Sequence, residues 1–283
     1  FTLQGPSLRF HSDALVALAG ADCPAELEGE TVPYWAPIAI KAGQVLKLGR
    51  AQSGCRTYLA VRGGFDVPVY LGSRSTFALG QFGGHAGRTL RAADMLAISQ
   101  PGLPACTTPA PVSEPQALAD SLIPAYGTTW NIGVLYGPHG APDFFTPEAI
   151  EQFFAADWQV HYNSNRLGVR LSGPKPSWTR ADGGEAGLHP SNVHDCEYAI
   201  GAINFTGDFP VILTKDGPSL GGFVCPVTIA KAELWKVGQV KPGDTLRFHP
   251  ISFERAQALE QAQLASLQSL SACLLYTSPS PRD

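Results

Sequence analysis

Charged residues are scarce in this sequence. Asp, Glu, Lys and Arg make up 16% of its 283 residues, against about a quarter in ordinary globular domains, so long solvent-facing helices have little to be built from. The net charge of −4 comes without any run of Lys or Arg. The basic stripe that a phosphate backbone or an anionic membrane surface requires is therefore missing. No apolar stretch approaches the ~20 residues of a membrane span, and no charged-then-apolar leader opens the chain. The expected setting is soluble and cytoplasmic, with neither nucleic acid nor membrane as a partner. No C-x-x-C pair occurs among the six cysteines, which lie 29 to 90 residues apart, so neither a disulfide framework nor a zinc knuckle is expected. Met95 is the only methionine and the chain begins at Phe1, which reads as a sequence entered part-way along a strand.

What is abundant is apolar content, at 44%, together with turn formers, 30 Gly and 24 Pro. That balance points to a mostly β protein with dense turns. Strand signals recur at VLKLG (45–49), RTYLAV (56–61), WNIGVLY (130–136), WQVHY (158–162), YAIGAINF (198–205), FPVIL (209–213) and TLRF (245–248). Few helices are expected. One spans 147–156, where Thr146 can cap and Pro147 takes the first helical position. Another spans 252–270, with Phe253, Ala256, Leu259, Leu264, Leu267 and Leu270 on one broad face.

An internal duplication organises the chain. At an offset of 202, Gly5, Leu18, Gly20, Cys23 and Pro24 meet Gly207, Leu220, Gly222, Cys225 and Pro226; at an offset of 200, Trp35, Lys41, Gly43 and Leu46 meet Trp235, Lys241, Gly243 and Leu246. Ordered matches with one small gap are the mark of a repeated unit, and the two cysteines and two tryptophans are expected in equivalent places. About eighty residues precede Gly207 within its unit and only four precede Gly5, so the first unit is expected to be N-terminally truncated. The expected organisation is a first β unit over 1–105, a linker rich in Pro, Thr and Ser over 106–125, a second β unit over 126–250, a C-terminal helix over 251–272, and a non-native or disordered tail over 273–283.

Chemistry concentrates in DGGEAGLHPSNVHD (182–195) and in the polar turns that follow at 204–210 and 215–223. The ordinary reading of such residues is a set of hydrogen-bonded turns, but apolar segments bracket them, and polar groups beside a core need partners. His189 and His194 with Asp195 are a poor metal set, because five residues and Pro190 separate the histidines; no metal is expected. Gly217-Pro218-Ser219-Leu220-Gly221 matches G-x-S-x-G, yet β sequence follows where a nucleophile elbow needs a helix. GQFGGHAGR (80–88) lacks the Lys-Ser/Thr pair of a phosphate loop. What remains is acid–base and oxyanion chemistry on a small polar substrate. The ionisable candidates are Asp182, Glu185 and His189, one of which would take a proton. Asn192 and Asn204 are candidate donors to a substrate oxygen, Asp208 and Asp216 candidate acceptors, and Gly221 and Gly222 allow backbone N–H groups to approach closely.

The strings GVRLSGPKPSW (168–178), DGGEAGLHPSNVHD (182–195), INFTGDFPVIL (203–213) and DGPSLGGFVCP (216–226) resemble the carboxyltransferase domain of urea carboxylase, a family also called KipA-like or allophanate hydrolase subunit 2. YLAVRGGFDVP (58–68) and LGSRSTF (71–77) resemble its first half, and the likeness runs from residue 1 to about 260. The resemblance implies two tandem cyclophilin-like β-barrel subdomains. It implies transfer of CO2 from carboxybiotin, borne by a separate biotin carrier domain, to urea or a related small amide, giving allophanate. ATP would be used by a separate biotin carboxylase domain, since this chain has no Met-Lys-Met biotinylation site, and an allophanate hydrolase subunit 1-like domain would be a companion. On this reading the component is inactive alone. Two alternatives stay open, a subunit of an ATP-dependent 5-oxoprolinase and a non-enzymatic regulatory module of the same family.

Overall fold

The structure is a computed structural model that describes residues 1–99, 116–180 and 186–275, with side chains to residue 270. The first half contains β1 (Ser7–Arg9), β2 (Ala14–Asp22), β3 (Ala25–Leu27), β4 (Glu30–Thr31), β5 (Pro37–Ile40), β6 (Val45–Leu48), β7 (Ser53–Val61), β8 (Thr76–Phe77) and β9 (Phe82–Gly83). Two open sheets, ordered β1-β6-β3-β4 and β5-β2-β7, enclose a core that includes Phe10, Val16, Leu18, Ile38, Ile40 and Leu46. Alternation places these side chains inward: Val16, Leu18 and Gly20 are buried on one face of β2. Beyond β7 packing thins, and Tyr70, Phe77 and Phe82 cluster at the surface around the short β8–β9 pair.

The second half contains β10 (Thr129–Tyr136), α1 (Pro147–Ala155), β11 (Trp158–Val160), β12 (Gly168–Ser172), β13 (Asn192–Glu197), β14 (Ala202–Thr206), β15 (Phe209–Leu213), β16 (Leu220–Phe223), β17 (Val227–Ile229), α2 (Leu234–Val237), β18 (Thr245–Pro250) and α3 (Phe253–Leu275). A closed barrel runs β10-β17-β14-β15-β12-β11-β18. Closure comes from the parallel pairing of β10 with β18, Thr129 opposite Thr245 through Val134 opposite Pro250. Ile132, Leu171, Ile203, Ile212 and Leu246 are fully buried inside, and Phe153 of α1 stacks on Phe248 at 5.2 Å to plug one end. Thr146 caps α1 as expected, accepting from Ala149 N at 3.2 Å. The β13–β16 ribbon lies against the outside, where Tyr198, Ala202, Leu213 and Cys225 form a small second core.

The duplication is visible in part. β3 and β17 begin 202 residues apart, and β6 and β18 begin 200 apart. Cys23 and Cys225 are both buried and Leu46 and Leu246 both fully so. The turns feeding β6 and β18 match in detail. Gly43 and Gly243 have φ +95° and +91°, and Lys41 N and Lys241 N each donate to the side chain three residues on, at 2.7 Å to Gln44 and 3.1 Å to Asp244. The tryptophans do not correspond: Trp35 sits in a bend at φ +59°, whereas Trp235 is helical, its ring 6.1 Å from Trp130. Leu220 is exposed where Leu18 is buried. Strand neighbours differ too, because β3 pairs β6 directly while β10 stands between β17 and β18.

Gln239, 5% exposed, ties the halves together. Its Oε1 accepts from Cys55 N and Arg56 N, both at 3.0 Å, and its Nε2 donates to Arg56 O at 3.0 Å. Arg56 in return donates to Gly238 O. Of the expected linker, residues 116–125 are described; Leu118 N donates to Trp35 O at 2.7 Å. The C-terminal helix runs to Leu275, past the expected boundary at 272, and residues 276–283 lie outside the described ones. No described helix is long and apolar enough to cross a membrane.

Candidate functional site

Three segments converge beside one end of the barrel. The first is the strap 173–178, Gly-Pro-Lys-Pro-Ser-Trp, whose prolines keep it extended; Thr146 N donates to Ser177 O and Thr179 N to Phe144 O, both at 3.1 Å. Trp178 packs on Phe145 at 4.6 Å. The second is the β14–β15 turn, where Gly207 takes φ +64° and Asp208 projects. The third is the turn 186–191 leading into β13. It is closed by Asn192, whose N–H donates to His189 O and whose Nδ2 donates to Gly187 O, both at 2.9 Å.

Asp208 is the hub. Its Oδ1 accepts from Trp178 Nε1 at 3.1 Å and lies 3.4 Å from His189 Nε2, while its Oδ2 is 3.2 Å from Lys175 Nζ. Burial pushes this carboxyl up, but the bonds from Trp178 and Lys175 outweigh it and hold the group below the ordinary carboxylate range. His189 also stands edge-on to Trp178 at 5.5 Å. On its other side Nδ1 meets Ser191 Oγ at 2.9 Å and accepts from Ser191 N at 3.1 Å. Ser191 is fully buried, and its Oγ accepts from Gly207 N at 3.2 Å. Among the described residues the result is a partly exposed patch with one carboxylate, one imidazole and one ammonium, each oriented by a neighbour. It can offer N–H donors to an oxygen and a carboxylate to an amide N–H.

Of the residues expected from sequence, the structure brings His189, Asp208 and Asn192 together. Asp182 and Glu185 lie outside the described residues. Asn204, 4% exposed, is enclosed beneath the β13–β16 ribbon near Tyr198, with no hydrogen-bond partner at Oδ1 among the described residues. Gly221 and Gly222 belong to β16: a Cβ on Gly221 would stand 2.5 Å from the Tyr198 ring and one on Gly222 2.9 Å from Val193 O. Close packing of the ribbon explains both glycines. Asp216 pairs instead with Arg166, Oδ2 at 2.9 Å from Nε, clamping two turns to each other. Ser219 is followed by strand β16, so the helix of a nucleophile elbow is absent there. Sequence reasoning missed Lys175, Trp178 and Ser191; the first two lie in the Pro-Lys-Pro-Ser-Trp string and the third in His-Pro-Ser-Asn, but nothing in their local pattern announces a contact with Asp208 or its neighbours. A cavity of about 360 Å³ lined by Asp13, Lys41 and Arg62 opens on the first half, away from this cluster.

A family model described as "Carboxyltransferase domain, subdomain A and B" matches residues 1–250. The chain is 54% identical over 271 residues to the urea amidolyase of Lachancea kluyveri, covering 95% of this chain and 15% of that protein. The crystal structure of the Kluyveromyces lactis urea carboxylase superposes with a TM-score of 0.90 at 54% identity, over 95% of this chain and 24% of the other. A 5-oxoprolinase subunit of Escherichia coli (strain K12) is more distant, 31% identical over 270 residues, with 95% of this chain and 80% of that protein covered. The chain thus spans under a quarter of the length of the urea enzymes it resembles. A mostly β fold with a closed barrel and a family match over residues 1–250 agree: this chain belongs to the carboxyltransferase domain family, subdomains A and B.

Proposed function

We propose that this chain is the carboxyltransferase component of a biotin-dependent urea carboxylase, moving CO2 from carboxybiotin to a urea nitrogen to give allophanate. The observation that carries the choice of urea is 54% identity across nearly the whole chain to a urea amidolyase, against 31% to a 5-oxoprolinase subunit. The donor set fits a carboxylated ureido ring beside a small amide: Lys175 can meet a carboxylate, His189 a carbonyl oxygen, and Asp208 an N–H. When bound, carboxybiotin supplies the activated carboxyl group.

A urea nitrogen is a poor nucleophile, so the protein must polarise the urea carbonyl, accept a nitrogen proton and keep water from the carboxyl donor. Asp208, kept ionised by Trp178 and Lys175, accepts from a urea N–H and orients the molecule. Asp182 and Glu185, outside the described residues, stay as further candidate carboxylates on sequence grounds alone. The biotin carrier, an ATP-using biotin carboxylase and an allophanate hydrolase subunit 1-like domain are the partners, in the cytoplasm, and this chain has no turnover by itself. The 5-oxoprolinase reading stays as the second, because the chain covers 80% of the length of that relative. Supplying carrier, biotin carboxylase, ATP and bicarbonate and comparing urea, acetamide, formamide and 5-oxoproline separates the two. Preference for urea with an absolute need for biotin is expected; preference for 5-oxoproline without biotin refutes the proposal.

A further inference from the structure

His189 is held from its Nδ1 side by two donors. A neutral imidazole has one lone pair and one N–H, and which nitrogen bears the hydrogen follows from what the other one meets. The amide of Ser191 can only donate, and it points at Nδ1 at 3.1 Å. The Ser191 hydroxyl lies 2.9 Å from the same nitrogen. Its oxygen already accepts from Gly207 N at 3.2 Å, which leaves its own hydrogen to turn toward Nδ1. A hydrogen on Nδ1 would face the Ser191 amide hydrogen in a place where Ser191 is fully buried. The ring hydrogen therefore belongs on Nε2.

Nε2 has spare capacity. The acceptor that faces it among the described residues, Asp208 Oδ1, is 3.4 Å away, beyond a good N–H···O bond, and that oxygen already takes Trp178 Nε1 at 3.1 Å. The imidazole is about a third exposed, so an incoming oxygen can reach it. Among the described residues, the charged group within ion-pair distance of the ring is Asp208 on the β14–β15 turn, which is itself paired with Lys175 of the strap.

We propose that the 187–191 turn fixes His189 as the Nε2–H tautomer, and that His189 serves the reaction as a hydrogen-bond donor to the amide oxygen of the substrate rather than as the base. Ser191 is the positioning residue. The donor role rests on reading this cluster as the reacting centre; the tautomer does not. Proton acceptance then falls to a carboxylate.

The tautomer is read without turnover. Long-range nitrogen–proton NMR on this chain, at about pH 8 and so above the ordinary imidazole range, distinguishes the two ring nitrogens, with the His189 signals assigned by their loss in His189→Gln. A single Nε2–H pattern is expected; an Nδ1–H pattern, or an average of the two, overturns the assignment. The role is read in the assembled enzyme. His189→Gln keeps an N–H near the Nε2 position and should retain at least ~10-fold more kcat than His189→Ala, since one such donor is worth ~10²–10³-fold. Equal turnover of the two variants overturns the donor role. If wild type carboxylates no amide, the functional reading falls and takes the donor role with it, whereas an Nδ1–H spectrum from an enzyme that turns over overturns the tautomer alone.

Discussion

Leu188 adopts φ +71° and leaves 98% of its surface exposed, two features that work against folding, since a bulky side chain is strained there and gains nothing by burial. It sits next to His189 at the tip of the turn. Leu188→Gly should relieve the strain and raise the unfolding free energy in guanidinium by up to about 1 kcal/mol, while lowering transfer in the assembled enzyme; unchanged activity would make Leu188 incidental. Ser191→Ala removes the acceptor of the part-buried Gly207 amide and should destabilise by about 0.5–1.5 kcal/mol, the net worth of one such hydrogen bond. Asp208 gives a pH signature with a definite sign. Burial pushes its folded pKa up, but Trp178 and Lys175 together hold it below the ordinary value, so it contributes stability that is present above the unfolded value near ~3.9 and is lost as pH falls through the folded value. Partial exposure keeps the effect at about 1 kcal/mol or less. Melting curves from about pH 6 down to about pH 3 should show wild type losing more stability than Asp208→Asn; parallel curves would mean the bonds to Asp208 contribute nothing.

At the scale of elements, the contact between Gln239 and β7 joins the two halves. Gln239→Ala strands the buried amide of Cys55 and the part-buried amide and carbonyl of Arg56, and a loss of about 2–4 kcal/mol is expected, with denaturation splitting into two transitions. A single transition at the wild-type midpoint would show that the halves couple elsewhere. α3 presents a different case. Its apolar residues match the expected helical face, yet Phe253, Leu264 and Leu267 remain exposed, since the Lys231–Glu260 ion pair and a bond from Gln263 to Ala232 O are what tether it to the turn at 231–233. Period 3.6 was legible in the sequence; whether that face is covered was not. Strands with clear alternation were legible as well: β15 spans the expected FPVIL and β10 the expected WNIGVLY to within one residue. β2 was not, because ALVALAGAD has a single β-branched residue and its strand character comes from pairing with both β5 and β7. β13 was hidden inside a polar loop because it pairs with β16 through a bulge and exposes much of its side-chain surface.

Taken whole, the molecule shows why half of the candidate site was legible in the sequence. His189 and Asp208 are ionisable residues in polar turns, which composition flags. Lys175, Trp178 and Ser191 acquire their roles only when the barrel brings positions 175, 178, 189, 191 and 208 together, and that is a property of topology. Asn204 and Asp216 look the same as Asp208 in sequence, but the fold uses one beneath the ribbon and the other to clamp Arg166. The repeat was legible where it fixes turns and buried positions and misleading at the tryptophans, because identical residues at equivalent offsets can enter different local structures. Whether a biotin-borne carboxyl group reaches urea is read by following labelled bicarbonate in a mixture of this chain, biotinylated carrier, biotin carboxylase and ATP. Label recovered in allophanate, dependent on this chain and abolished when avidin sequesters the biotin, is the predicted result. Label that stays on the carrier when urea is added, with every component shown to be folded, would contradict it.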